Sequence, residues 1–157
     1  MKRVNQFLTI AWVLLLSAQS AGAQSCLPDG INFSSQAQID NFSINYPGCT
    51  EIEGTVSIGN GLDVTNLTGL HVLTRIGGSL LIFNNFNLGT LDGLNQLTAI
   101  GGELNINANE QIPDLSGLSG LTEIGSSVFI TDNNALASIA ELSFLDTVSG
   151  QLNISQN

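Results

Sequence analysis

The chain has 157 residues, only 10% of them charged, and its 13 acids exceed its three basic residues by a net charge of −10. That length allows one domain. An acidic chain whose polar surface is built mostly from Asn, Ser, Thr and Gln disfavours nucleic acid and anionic membrane as partners.

Residues 1–23 read as an export leader. Lys2 and Arg3 supply a positive start, Leu8 to Leu16 an apolar run, and Ala21-Gly22-Ala23 a small-x-small cleavage pattern, so the mature chain is expected to begin at Gln24. The apolar run is too short to span a bilayer comfortably, and no membrane insertion of the mature chain is expected. A retained N-terminal anchor is the alternative. Without the leader, Arg75 is the one basic residue against all 13 acids. The chain is therefore expected to be secreted or held at the cell surface. In that compartment a disulfide is the default for Cys26 and Cys49, the only two cysteines. Closing such a loop stabilises a fold by about 3 kcal/mol on the chain-entropy model. Metal binding by the pair is not expected, since there is no third thiol and the sole imidazole, His71, is far along the chain.

Residues 24–53 read as an N-terminal cap. Ser34-Ser35 can start a short helix whose apolar side carries Ile39 and Phe42, with Tyr46 a turn further on and Pro47-Gly48 as its stop. From Gly54 onward the chain repeats at a fixed step of 24 residues, in units 54–77, 78–101, 102–125, 126–149 and a partial 150–157. Val56, Leu80, Leu104, Val128 and Leu152 form one column, and Ile58, Ile82, Ile106, Ile130 and Ile154 another. Four more columns run through Leu67, Leu70, Leu73 and Ile76 at the same step. A unit of this size cannot bury its own apolar edge, so it must stack on its neighbours as a solenoid.

Within a unit, Ser79-Leu80-Leu81-Ile82-Phe83 alternates as a strand does. Asn85, Asn109, Asn133 and Asn157 then fall in one column, with Gly61 in the first unit, and predict a buried asparagine ladder. Leu88, Leu91, Leu94 and Leu97 stand three apart, a spacing suited to short 3₁₀ turns. Gly101-Gly102 permits the corner into the next strand.

The run Leu73-Thr74-Arg75-Ile76-Gly77-Gly78-Ser79-Leu80-Leu81-Ile82-Phe83-Asn84-Asn85 resembles the LTxIGGxLxIxxN form of the receptor L domain, a variant of the leucine-rich repeat. That domain is the ligand-binding solenoid of insulin and epidermal growth factor receptors and of secreted bacterial and fungal relatives. The stretch Gly48-Cys49-Thr50-Glu51-Ile52-Glu53-Gly54-Thr55-Val56-Ser57-Ile58 is similar to the family's cysteine followed by I-x-G-x-L-x-I. The resemblance implies a mainly β, right-handed β-helix-like solenoid of 24-residue coils, with Cys26 bonded to Cys49 across a helical cap. It implies a scaffold more than a ligand. The family's C-terminal cap has no counterpart here: the sequence reaches Asn157 midway through a unit, with Leu152 and Ile154 on the last strand. Further repeats or a partner are expected to cover that edge.

No catalytic constellation is legible. No acids stack in one column, Asp132-Asn133-Asn134 reads as a turn, and His71 has no acid or thiol at motif spacing, so an enzyme and a bound cofactor are not expected. The outward strand positions are more informative. Most are small or polar, but Leu81, Phe83 and Phe129 are large and apolar, with Asn105 and Asn107 between them. A flat face mixing aromatics and amides suits a protein or glycan ligand, so these five residues are the candidate binding set. The expected function is extracellular recognition or adhesion; the alternative is a purely structural spacer of a larger surface protein.

Overall fold

The computed structural model describes residues 22–157, so the expected leader, apart from Gly22 and Ala23, lies outside the described residues. Two parallel six-stranded sheets make up the body. Sheet A holds two-residue strands: β1 (Ser25–Cys26), β3 (Glu51–Ile52), β5 (Arg75–Ile76), β7 (Ala99–Ile100), β9 (Glu123–Ile124) and β11 (Thr147–Val148). Sheet B holds the longer ones: β2 (Ile31–Phe33), β4 (Val56–Gly59), β6 (Leu80–Phe83), β8 (Leu104–Asn107), β10 (Val128–Thr131) and β12 (Leu152–Ser155).

Each pass of the chain contributes one strand to each sheet and lies beside the pass before it. Val56 pairs with Leu80, Leu80 with Leu104, Leu104 with Val128, and Val128 with Leu152. The apolar columns thereby become continuous rows. Val56, Leu80, Leu104 and Val128 are all buried, as are Ile58, Ile82, Ile106 and Ile130. The Leu67, Leu70 and Leu73 rows and the Ile52, Ile76, Ile100 and Ile124 row close the same core from the turn side. Full burial of one such side chain stabilises by about 1.5 to 3 kcal/mol, so the stacked rows supply the driving force.

Two polar ladders run through the corners. Asn85, Asn109 and Asn133 are fully buried. The Oδ1 of Asn109 accepts from the backbone N–H (3.2 Å) and Nδ2 (3.1 Å) of Asn85, and Asn133 serves Asn109 in the same way at 3.0 and 3.3 Å. Each Nδ2 also donates to a strand carbonyl of the preceding pass: Ile58, Ile82 and Ile106 at 2.9, 2.9 and 3.0 Å. The rung ends at Gly61, and the Oδ1 of Asn85 is left without a partner. A second ladder precedes the short strands, where the hydroxyls of Thr74, Thr98 and Thr122 donate to the carbonyls of Thr50, Thr74 and Thr98.

The residue before each asparagine rung is left-handed. Asn60, Asn84, Ala108, Asp132 and Gln156 have φ of 57, 55, 54, 58 and 58°. Asn and Asp tolerate that region, whereas an alanine there is strained.

Residues 36–45 form two helices where one was expected: α1 (Gln36–Asp40) and α2 (Phe42–Asn45). The break is at Asn41, whose Nδ2 donates to the Ala37 carbonyl at 2.7 Å and so competes with the helical backbone. At the start of α1, Gln38 Oε1 accepts from the backbone N–H groups of Ser34 (2.7 Å) and Ser35 (3.2 Å). Ile39 and Phe42 are fully buried, and Phe42 packs edge-on to Phe33 at 5.9 Å between centroids. Gln36 ties α1 to the first repeat, its Oε1 accepting from the Thr65 N–H (2.9 Å) and its Nε2 donating to the Asn66 carbonyl (3.2 Å). Cys26 and Cys49 are disulfide-bonded, with Cα atoms 5.7 Å apart.

The turn segments depart from expectation in one unit. The 3₁₀ turns Thr68–Leu70, Ser116–Leu118 and Ala140–Phe144 occupy equivalent places, but the corresponding residues 92–94 form none. There Gly93 adopts φ +113° and takes the backbone off the 3₁₀ path. At the far end of the stack, Phe144 and Leu152 are each 57% exposed and Ile139 40%.

Candidate functional site

Strand alternation decides which residues sheet B presents. In β6, β8 and β10 the inward residues are buried and the outward ones half-buried. Parallel register then sets Leu81 beside Asn105 and Asn105 beside Phe129, while Phe83, Asn107 and Thr131 form the next row. With neighbouring strands about 4.8 Å apart, Leu81 and Phe129 stand about 10 Å from each other across an amide.

Leu81, Phe83, Asn105 and Asn107 line one open depression of about 260 Å³. Thr131, outside the candidate set, completes it; its outward place by alternation, opposite Asn107, is the signal that marks it. Phe129 is not among the lining residues and flanks the depression through its pairing with Asn105.

The hydrogen bonds polarise this face toward accepting. Asn105 Nδ2 donates to Glu103 Oε1 at 2.9 Å. Asn107 Nδ2 donates to Thr131 Oγ1 at 2.8 Å and to Asp132 Oδ2 at 3.2 Å. Asn107 thus spends both amide hydrogens within the sheet and Asn105 one of its two, and both amide oxygens are left to meet donors from outside.

Phe83 owes its position to its neighbour. Gly59 pairs with it in register, and a Cβ at Gly59 would collide with Cζ, Cε1 and Cε2 of the Phe83 ring. The ring therefore lies over Gly59, tilted toward the first repeat.

Sheet A offers less. β3 and β5 put Glu51 beside Arg75, and a shallow hollow of about 240 Å³ opens there among Ser25, Glu51, Glu53 and Arg75. Among the described residues no group of three or more His, Cys, Asp or Glu side chains is placed to hold a metal ion. Among them, too, no helix is long and apolar enough to cross a membrane.

Two parallel sheets joined by tight turns, few helices and a disulfide define a β-solenoid-like scaffold whose accessible chemistry lies on its walls. Residues 48–147 match the family model of the receptor L domain, and the chain belongs to that family. No curated protein matches the sequence. Receptor L domains are extracellular, non-catalytic recognition modules that bind protein ligands, and the disulfide fits that setting.

Proposed function

We propose that the chain is an exported recognition module that captures a protein ligand on the outward face of sheet B, with Leu81, Phe83 and Phe129 as apolar anchors and the amide oxygens of Asn105 and Asn107 as acceptors. The observation that carries this reading is the convergence of Leu81, Phe83, Asn105 and Asn107 on one depression of the exposed sheet. An aliphatic or aromatic ligand side chain fits between the anchors, and N–H groups of its backbone meet the amides. Interface cores are built in this way, from a few large apolar groups ringed by polar ones. A glycan would use the same aromatic and amide groups. In this reading residues 1–23 are the leader, 24–53 the helical cap and 54–157 the right-handed 24-residue coils.

A photo-crosslinking phenylalanine analogue placed at Phe83 tests the proposal against the same analogue at exposed Glu110, in the source's extracellular medium. Capture from position 83 alone, abolished when Phe129 is also changed to Ser, is the expected result. Equal yields from both positions would favour the spacer role instead.

A further inference from the structure

Another depression belongs to neither sheet. It has a volume of about 490 Å³ and is lined by Thr68, His71, Asp92, Gly93, Asn95 and Gln96, which all lie on the turn segments of two adjacent repeats. That size is within the range of about 300 to 1,000 Å³ found for small-ligand sites.

The depression coincides with the one place where the turn segments break their own pattern. Three repeats carry a 3₁₀ turn at this level, and the repeat with Gly93 does not. Gly93 cannot be replaced there without strain, because its φ is +113° and a Cβ would collide with the Leu67 carbonyl. The altered path is held by Asn95, whose Oδ1 accepts from the Gly93 N–H (3.1 Å) while its Nδ2 donates to the Ser116 carbonyl (3.3 Å). Asn95 thereby serves as a support, and the lining side chains that do not hold the turn are those of His71, Asp92 and Gln96.

Their chemistry selects the ligand class. His71 Nδ1 lies 3.0 Å from the Thr68 carbonyl oxygen, which can only accept, so Nδ1 carries the proton and Nε2 of the neutral ring is an acceptor. Among the described residues, the Asp92 carboxylate and the Gln96 amide make no side-chain hydrogen bonds. The site therefore offers a carboxylate and an imidazole nitrogen as acceptors, one amide that both accepts and donates, and a flat ring beside them. A bare metal ion is poorly served by a single carboxylate. A polyhydroxyl ring is well served, since its hydroxyls donate to the acceptors and its C–H face rests on the imidazole.

We infer that the cleft between the His71 turn and the Gly93 turn is a carbohydrate subsite for one or two sugar rings, separate from the sheet B face. The test is titration of the ¹⁵N-labelled full chain with free glucose, galactose, mannose and N-acetylglucosamine, followed by amide chemical shifts. Saturable shifts confined to residues 68–71 and 92–97 are expected for at least one sugar. Asp92→Asn should weaken that binding at least tenfold and leave the rest of the spectrum unmoved, and Phe83→Ser should leave it unchanged. No shift at those amides with any of the four sugars up to their solubility would overturn the inference. So would shifts there with Nα-acetyl-lysine-methylamide and with no sugar, which would make the cleft a cation site, or shifts of the sheet B amides alone.

Discussion

Removing the middle rung of the asparagine ladder, by Asn109→Ala, isolates what the polar spine contributes to the stack. Asn109 is fully buried. Its Oδ1 is the acceptor for the Asn85 backbone N–H at 3.2 Å, and Asn85 is itself fully buried, so truncation leaves that N–H without its partner. Stranding a buried donor costs about 1 to 3 kcal/mol. The Nδ2 of Asn109 also donates to the carbonyls of Ile82 (2.9 Å) and Asn107 (3.0 Å) and to Asn133 Oδ1 (3.3 Å). Losing these adds about 0.5 to 1.5 kcal/mol for each of the two shorter ones and little for the long one. The expected loss is about 2 to 6 kcal/mol, a large part of the 5 to 15 kcal/mol typical of a domain. Asn85→Ala should cost less, because the Oδ1 of Asn85 has no partner to lose. Urea unfolding followed by circular dichroism measures both variants. If Asn109→Ala shifts stability by under about 1 kcal/mol, or if Asn85→Ala costs as much as Asn109→Ala, the ladder is not what ties the passes together.

Ala108 is the unfavourable member of the left-handed column, at φ +54°, and Ala108→Asn should stabilise the chain by about 1 kcal/mol. It would also stand next to Asn84, whose Nδ2 already donates to Asn60 Oδ1 at 3.2 Å; a raised urea midpoint with unchanged slope is the expected readout. Gly59→Val should displace the Phe83 ring while leaving the melting temperature level or higher, because a strand position gains a β-branched residue. Ligand capture through position 83 should fall all the same, and capture that persists at full strength would detach the tilt of Phe83 from recognition. The Ser116 hydroxyl, together with the Ser116 N–H at 3.0 Å, holds the Asp114 carboxyl below its ordinary value of 3.8. A depressed acid favours the folded state above the unfolded pKa, so wild type should exceed Asp114→Asn in stability above about pH 4 and lose that margin as pH falls below it.

Much of the scaffold was legible in the sequence, and the reason is geometric. In a stack of equal passes the repeat period equals the register step, so a column such as Leu80, Leu104 and Val128 in the alignment is a row of touching side chains in space. The Asn85, Asn109 and Asn133 column was readable for the same reason. The threonine column of Thr74, Thr98 and Thr122 carries an equal signal. The candidate face followed from alternation, which assigns Leu81, Phe83, Asn105, Asn107 and Phe129 to one side of the sheet.

By itself, then, the order of residues determined the apolar rows, the buried amide rungs and which side of the sheet carries Leu81, Phe83 and Phe129, because each depends only on spacing. The tertiary structure alone decided the rest. The left-handed corner recurs not only at Asn60, Asn84 and Asp132, types that tolerate it, but also at Ala108 and Gln156, because the turn between strand and rung imposes it. Gly69, Gly93 and Gly117 look equivalent in the repeat, yet only Gly93 takes a positive φ. The cleft beside it joins His71 to Asp92 and Gln96 across two passes of the chain. Such features arise from contacts between neighbouring passes, and a period read along one chain contains the order of those passes but not the path the backbone takes between them.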